Sequence, residues 1–132
     1  MQAGLEVIVG IEQDPQFGPV LLFGLGGIFT EAIREVTLRV CPIIRDDTKE
    51  MIREVRGFRL LEGFRGGAQT DIDALVKVLL KVSALAMALK DRLTELDINP
   101  LLVLPKGQGV RAVDALIVLS NGSQVRREIP QW

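Results

Sequence analysis

Hydrophobic and polar positions alternate from Leu5 to Ile11, break at Asp14-Pro15-Gln16-Phe17-Gly18, and resume as a short apolar run from Pro19 to Phe23. Alternation sends successive side chains to opposite faces of a strand, and the Asp-Pro-Gly cluster is turn chemistry, so this stretch predicts a hairpin. A third strand is expected from Glu35 to Val40, with Val36, Leu38 and Val40 on one face and Glu35, Thr37 and Arg39 on the other, ended by Pro42. The period then lengthens. Asp46 or Asp47 is placed to cap a helix running to about Val55 before Gly57, with Glu50 three residues beyond Asp47. Thr70 and Asp73, at capping spacing, open a second helix. Its apolar stripe is Ile72, Leu75, Val76, Leu79, Val82, Ala86, Leu89 and Leu93, and it should pack against the sheet.

Two further strands, Glu95–Leu101 and Ala112–Ala115, flank a Lys-Gly-Gln-Gly cluster. A turn centred between Lys106 and Gly107 sets Asn99 opposite Asp114, and such partners have Cβ atoms about 4.5–5.5 Å apart on one face. Asp97 shares that face with Asn99, and Leu101 and Val103 are expected to continue it. Pro100 implies an edge strand or a bulge, with a shift of pairing by one residue as its consequence. Beyond Leu119, Ser120-Asn121-Gly122-Ser123 reads as a turn and Arg126-Arg127 as part of a polar tail with no assigned function. The expected fold class is α+β, a mainly antiparallel sheet with about two helices packed on one face. No repeat or low-complexity segment interrupts it.

Composition narrows the classes. A chain of 132 residues with 48% hydrophobic and 25% charged content suits one folded domain rather than a disordered one, and its apolar excess is what a missing partner surface would leave. Sixteen basic against seventeen acidic residues, net −1, provide no field for nucleic acid or an anionic membrane. Lys77, Lys81 and Lys90 interrupt the longest apolar helix, and the N-terminus lacks the basic region of a signal peptide. One cysteine, Cys41, permits no intrachain disulfide, suits a cytoplasmic setting, and reads as a small buried hydrophobe, because the chain holds no histidine to activate it.

The candidate chemistry lies at Asn99 and Asp114. Magnesium demands hard oxygen ligands and commonly takes one or two from protein, with the rest from water and phosphate. An amide oxygen and a carboxylate facing each other meet that demand, while the bland reading of Asp97 and Asn99 is a pair of solvent-facing polar residues. Gly24-Leu25-Gly26-Gly27 allows backbone amides to approach a phosphate, yet it is neither a Walker loop nor a dinucleotide fingerprint, and the favoured reading is a flexible turn after a strand. Glu6 is read as structural. Arg34 and Arg39 match phosphate geometry but are read as surface arginines.

Four motifs occur in order: Gly4-Leu5-Glu6-Val7-Ile8-Val9-Gly10, Asp14-Pro15-Gln16-Phe17-Gly18-Pro19-Val20, Phe23-Gly24-Leu25-Gly26-Gly27-Ile28-Phe29, and Glu95-Leu96-Asp97-Ile98-Asn99-Pro100-Leu101 with the later Val113-Asp114-Ala115. Together with Leu60-Leu61-Glu62-Gly63-Phe64-Arg65-Gly66 they resemble the ATP-grasp fold of ADP-forming acetyl-CoA and acyl-CoA synthetases, the succinyl-CoA synthetase beta-subunit group. The resemblance runs through about Leu119 and covers only the C-terminal ATP-grasp subdomain. It implies a domain at residues 1–119 followed by a tail or boundary segment at 120–132.

The resemblance further implies magnesium on Asn99 and Asp114, ATP or ADP as nucleotide, and a catalytic role for Asp97 in orienting a metal-bound water or an incoming histidine. Gly26, Gly27 and Glu31 would lie near the path between the phosphate site and a partner domain. Acyl-CoA, ADP and phosphate would give acid, ATP and CoA, reversibly, through acyl phosphate and phosphohistidine. The implied partners are the N-terminal ATP-grasp subdomain and a CoA-binding, phosphohistidine-bearing domain or subunit, so the chain alone is expected to be inactive. A different class stays open: a non-catalytic regulatory module of a protein acetyltransferase. A free-standing interaction domain is the third reading.

Overall fold

The structure is a computed structural model and describes residues 4–26, 36–55, 61 and 69–128. Strands β1 (Leu5–Asp14), β2 (Gly18–Leu25) and β3 (Val36–Val40) are followed by helices α1 (Arg45–Glu54) and α2 (Ile72–Ala88). Strands β4 (Leu93–Val103), β5 (Val110–Ala112), β6 (Asp114–Leu119) and β7 (Gln124–Glu128) complete the described elements. All seven strands join one antiparallel sheet in the order β3-β2-β1-β4-β6-β7, with β5 also paired to β4. This is the expected α+β architecture. None of the described helices is long and apolar enough to cross a membrane.

The first hairpin closes through Asp14, whose Oδ1 accepts the N–H groups of Gln16 and Phe17, and through Gly18 at φ 82°. Only glycine adopts that backbone without steric cost. Val7, Val9 and Ile11 on β1 and Leu21 and Phe23 on β2 then share one face and are fully buried with Leu75, Val76, Leu79, Val82 and Ala86 of α2. Each such aliphatic side chain contributes about 1.5–3 kcal/mol by leaving water. The stripe read from the sequence is therefore the core, although its last member, Leu93, starts β4 rather than ending the helix. Cys41 is also buried in this core, and desolvation pushes its thiol up from the ordinary value.

Both helix starts differ from expectation by a residue or more. In α1 the N-cap is Ile44, and Asp47 works from the third helical position by accepting the Ile44 N–H at 2.9 Å. In α2 the cap is Asp71, not Thr70: its carboxylate accepts the N–H groups of Ala74 at 3.2 Å and Gly109 at 2.7 Å. Thr70 is occupied elsewhere, bonding the Leu61 carbonyl through both its backbone and its hydroxyl. Asp71 thereby ties the start of α2 to the turn after β4, a tertiary bond that local spacing does not reveal.

Strand β3 is packed the opposite way from what its composition suggests. Thr37 and Arg39 face the helices: the Thr37 hydroxyl donates to Met51 O in α1 at 3.2 Å, and Arg39 pairs with Glu54 at 2.6 Å. Leu38 and Val40 lie on the open face, 50% and 48% exposed.

The turn Pro105-Lys106-Gly107-Gln108 closes with a Gln108 N–H bond to Pro105 O, and Leu104 N–H reaches Gly109 O. The expected centring between Lys106 and Gly107 is thus observed. Pairs Leu101–Ala112 on one side and Ile98–Ala115 on the other follow it, so Pro100 does not shift β4 against β5 and β6. The irregularity appears toward β1, where Val7 pairs Leu101 but Val9 pairs Ile98. Two residues of β4, Asn99 and Pro100, therefore oppose Ile8 alone, which is a β-bulge. The bulge reverses the alternation of β4. Leu101 and Val103 are buried on the helix side, 2% and 0% exposed, and do not continue the face of Asp97 as expected.

Residues Gln124–Glu128, placed in a tail by the sequence reading, form β7 and pair with β6 across the Asn121-Gly122 turn. Gly122 carries φ 88° there.

Candidate functional site

The open face of the sheet is assembled from cross-strand rows. Gly10, Asp97, Leu116 and Arg126 are successive partners across β1, β4, β6 and β7, and Asp114 stands opposite Glu128. Since directly paired residues share a face, Asp97, Leu116 and Arg126 point away from the helices, and Asp114, two residues before Leu116, points with them. Gly10 leaves room in this row: a Cβ there would stand a tight 3.2 Å from Leu96 O and 3.9 Å from Asp97 Oδ1. Ile98 packs against the core, and Asn99, the next residue and the first of the two in the bulge, is exposed.

Asn99 and Asp114 lie in the interval between the pairs Ile98–Ala115 and Leu101–Ala112 of neighbouring strands, and Asn99 is itself one of the two bulge residues. The donor set is an amide and a carboxylate, both hard oxygens, and it fits magnesium as a pair completed by water or phosphate. A fuller protein cage is not required by that ion. Among the described residues no group of three or more His, Cys, Asp or Glu side chains gathers to hold one.

Asp114 is not idle. The Arg126 guanidinium donates to both its oxygens, Nε to Oδ1 at 3.2 Å and Nη2 to Oδ2 at 2.6 Å. That fork holds the Asp114 carboxyl below the usual carboxylate range, chiefly by the hydrogen bond from Arg126. The Asp114 side chain is 24% exposed and that of Arg126 60%. Arg126 also lies 3.6 Å from Glu128. Reading the sequence alone assigned Arg126 no role; the Asn121-Gly122 hairpin signal was the available clue, since it folds β7 back onto β6.

Of the remaining candidates, Gly26 sits beside Glu6, its N–H bonded to Glu6 O at 2.8 Å, one step past the end of β2. Glu6 is exposed and shares a row with Leu102 and Arg111. Gly27, Glu31 and Arg34 lie outside the described residues. Arg39 is on the helix side, engaged by Glu54 and Glu50, so it is not part of the open face. A cavity lined by Gln69, Thr70, Asp71, Ile72, Asp73 and Lys106 opens at the start of α2 and includes none of the candidate residues.

The family model described as an ATP-grasp domain matches residues 1–119. The beta subunit of acetate–CoA ligase (ADP-forming) II from Pyrococcus furiosus is 48% identical over 121 residues, 92% of this chain and 51% of that protein. A crystal structure of a Pyrococcus horikoshii protein superposes with TM-score 0.86 at 46% identity, over 91% of this chain and 50% of that one. Acetyl-coenzyme A synthetase 1 from Ca. Korarchaeum cryptofilum, solved with coenzyme A and Mg-AMPPCP, gives TM-score 0.83 at 41% identity, over 90% of this chain and 55% of that one. The chain thus spans about half the length of each of these relatives.

Proposed function

The chain belongs to the ATP-grasp domain family, and from that premise we propose that it forms the nucleotide- and magnesium-binding part of an ADP-forming acyl-CoA ligase. The single observation that supports the reading is the register on either side of the two residues, Ile98–Ala115 and Leu101–Ala112, which share the one turn centre that would set Asn99 opposite Asp114. Asn99 and Asp114 would hold the ion, and a bound magnesium would neutralise phosphate oxygens during phosphoryl transfer. Asp97, beside Gly10 on the open face, would orient a water or an incoming side chain. Gly26, whose own N–H is held by Glu6 O, would serve by bringing the chain close to phosphate, with Gly27 and Glu31 beyond it in sequence.

The reaction proposed for the whole enzyme is acyl-CoA, ADP and phosphate to acid, ATP and CoA, in both directions, through acyl phosphate and phosphohistidine. This chain contains no histidine, so the phosphorylated residue belongs to another segment or subunit. The exposed apolar side chains Leu38 and Val40 extend the open face away from the polar rows, and they suit closure by the N-terminal ATP-grasp subdomain. A cytoplasmic setting is part of the proposal, resting on the single free Cys41. No observation favours the regulatory acetyltransferase module.

Replacing Asp114 by Asn in the complete ligase tests the assignment. The substitution keeps shape but removes the charged ligand, so turnover is expected to fall by on the order of 10²–10³, with an unchanged circular-dichroism spectrum. Turnover equal to wild type would remove Asp114 from the site.

A further inference from the structure

We propose that Arg126 competes with the divalent cation for Asp114, so that strand β7 sets the metal affinity of the site. The inference rests on the reading of Asp114 as a metal ligand and goes beyond it by giving the site a resident counter-cation. Three observations support it. The guanidinium occupies both carboxylate oxygens at once, 3.2 Å and 2.6 Å away, leaving neither free of a cationic donor. Its row is that of Asp97 and Leu116, so the positive charge stands on the same open face as both candidate acids, on the far side of β6 from Asp97. It comes from a strand outside the matched family region, which ends at residue 119.

The same geometry allows release. Arg126 is 60% exposed, so its side chain can swing away without opening the core. Glu128, opposite Asp114 and already 3.6 Å from Arg126 Nε, is the acceptor that remains when Asp114 turns to metal. Two cations on one carboxylate repel each other, and a fork that needs both oxygens is lost when either is coordinated. Arg127, the next residue along, is paired with Ala115 and points to the other side of the sheet, so it offers a matched charge without the contact.

The test is manganese binding to the 132-residue chain, followed by electron spin resonance of the free ion, with and without ADP. Arg126→Gln is expected to tighten binding by about two- to fivefold, the scale of an exposed ion pair. Arg126→Lys, which keeps charge but loses the fork, should fall between the two and serves as a second variant. Arg127→Gln should leave the affinity unchanged, and Arg126→Gln should have no effect in an Asp114→Asn background. Equal affinities in wild type and Arg126→Gln, with binding still lost in Asp114→Asn, would overturn the competition while keeping the metal site. Equal gains from Arg126→Gln and Arg127→Gln would reduce the effect to bulk charge and also overturn it. Binding that ignores Asp114 in every background would overturn the metal reading itself.

Discussion

On the helix side of the sheet Val7, Val9, Ile11, Leu21 and Phe23 are sealed from water, whereas the opposite side of the same strands carries Glu6, Glu12, Val20 and Leu22 in exposed or half-buried positions. β3 makes the contrast sharper. Its polar residues Thr37 and Arg39 turn toward α1, and its apolar Leu38 and Val40 turn to the open face. Alternation in a strand therefore reports that two faces differ, but not which of them the helices cover. The helix side is where the chain is held together, and the open side is where the candidate chemistry lies.

That division predicts a graded series of effects. Phe23→Ala should cost about 3–5 kcal/mol, because it leaves a cavity in a fully packed core, and calorimetric or denaturant unfolding would measure it. A loss no larger than that of a surface change would break the contrast.

Asp71→Ala, on the helix side but near the surface, should cost about 1 kcal/mol as a lost N-cap. Its carboxyl is held below the ordinary value by the Gly109 N–H first, against burial, with the N–H groups of Ala74 and Gly107 and the charge of Lys77 adding. A depressed folded value means the stabilisation is complete above about pH 4 and is lost as pH falls through the lowered folded value. Asp71→Asn should accordingly flatten the decline of stability below that pH, and an unchanged acid limb would remove the cap from the account.

Leu38→Ser, on the open face, should change stability by no more than about 0.5 kcal/mol. A larger loss would show that this apolar strip already packs against something within the chain.

Much of this layout was readable from spacing. The 3.6-residue stripe Leu75, Val76, Leu79, Val82 and Ala86 identified the buried side of α2, and the Lys106-Gly107 turn identified the pairing of β4 with β5 and β6. Both are local: helix period and turn position depend on residues close in sequence, whose geometry does not wait for the rest of the fold. The expectation that Asn99 stands opposite Asp114 followed from that turn. The role of Arg126 did not, because it depends on a second hairpin folding β7 onto β6 and on a diagonal reach across strands.

What the amino-acid order determined by itself was the set of elements, the register around Lys106-Gly107, and the ordered motifs that marked the family. Only the tertiary structure decided that Pro100 bulges toward β1 and reverses the facing of Leu101 and Val103, that β3 shows its apolar side outward, and that Asp71 rather than Thr70 caps α2. The physical reason is common to all three. Each is settled by a partner distant in sequence: a neighbouring strand, a covering helix, or the N–H of Gly109.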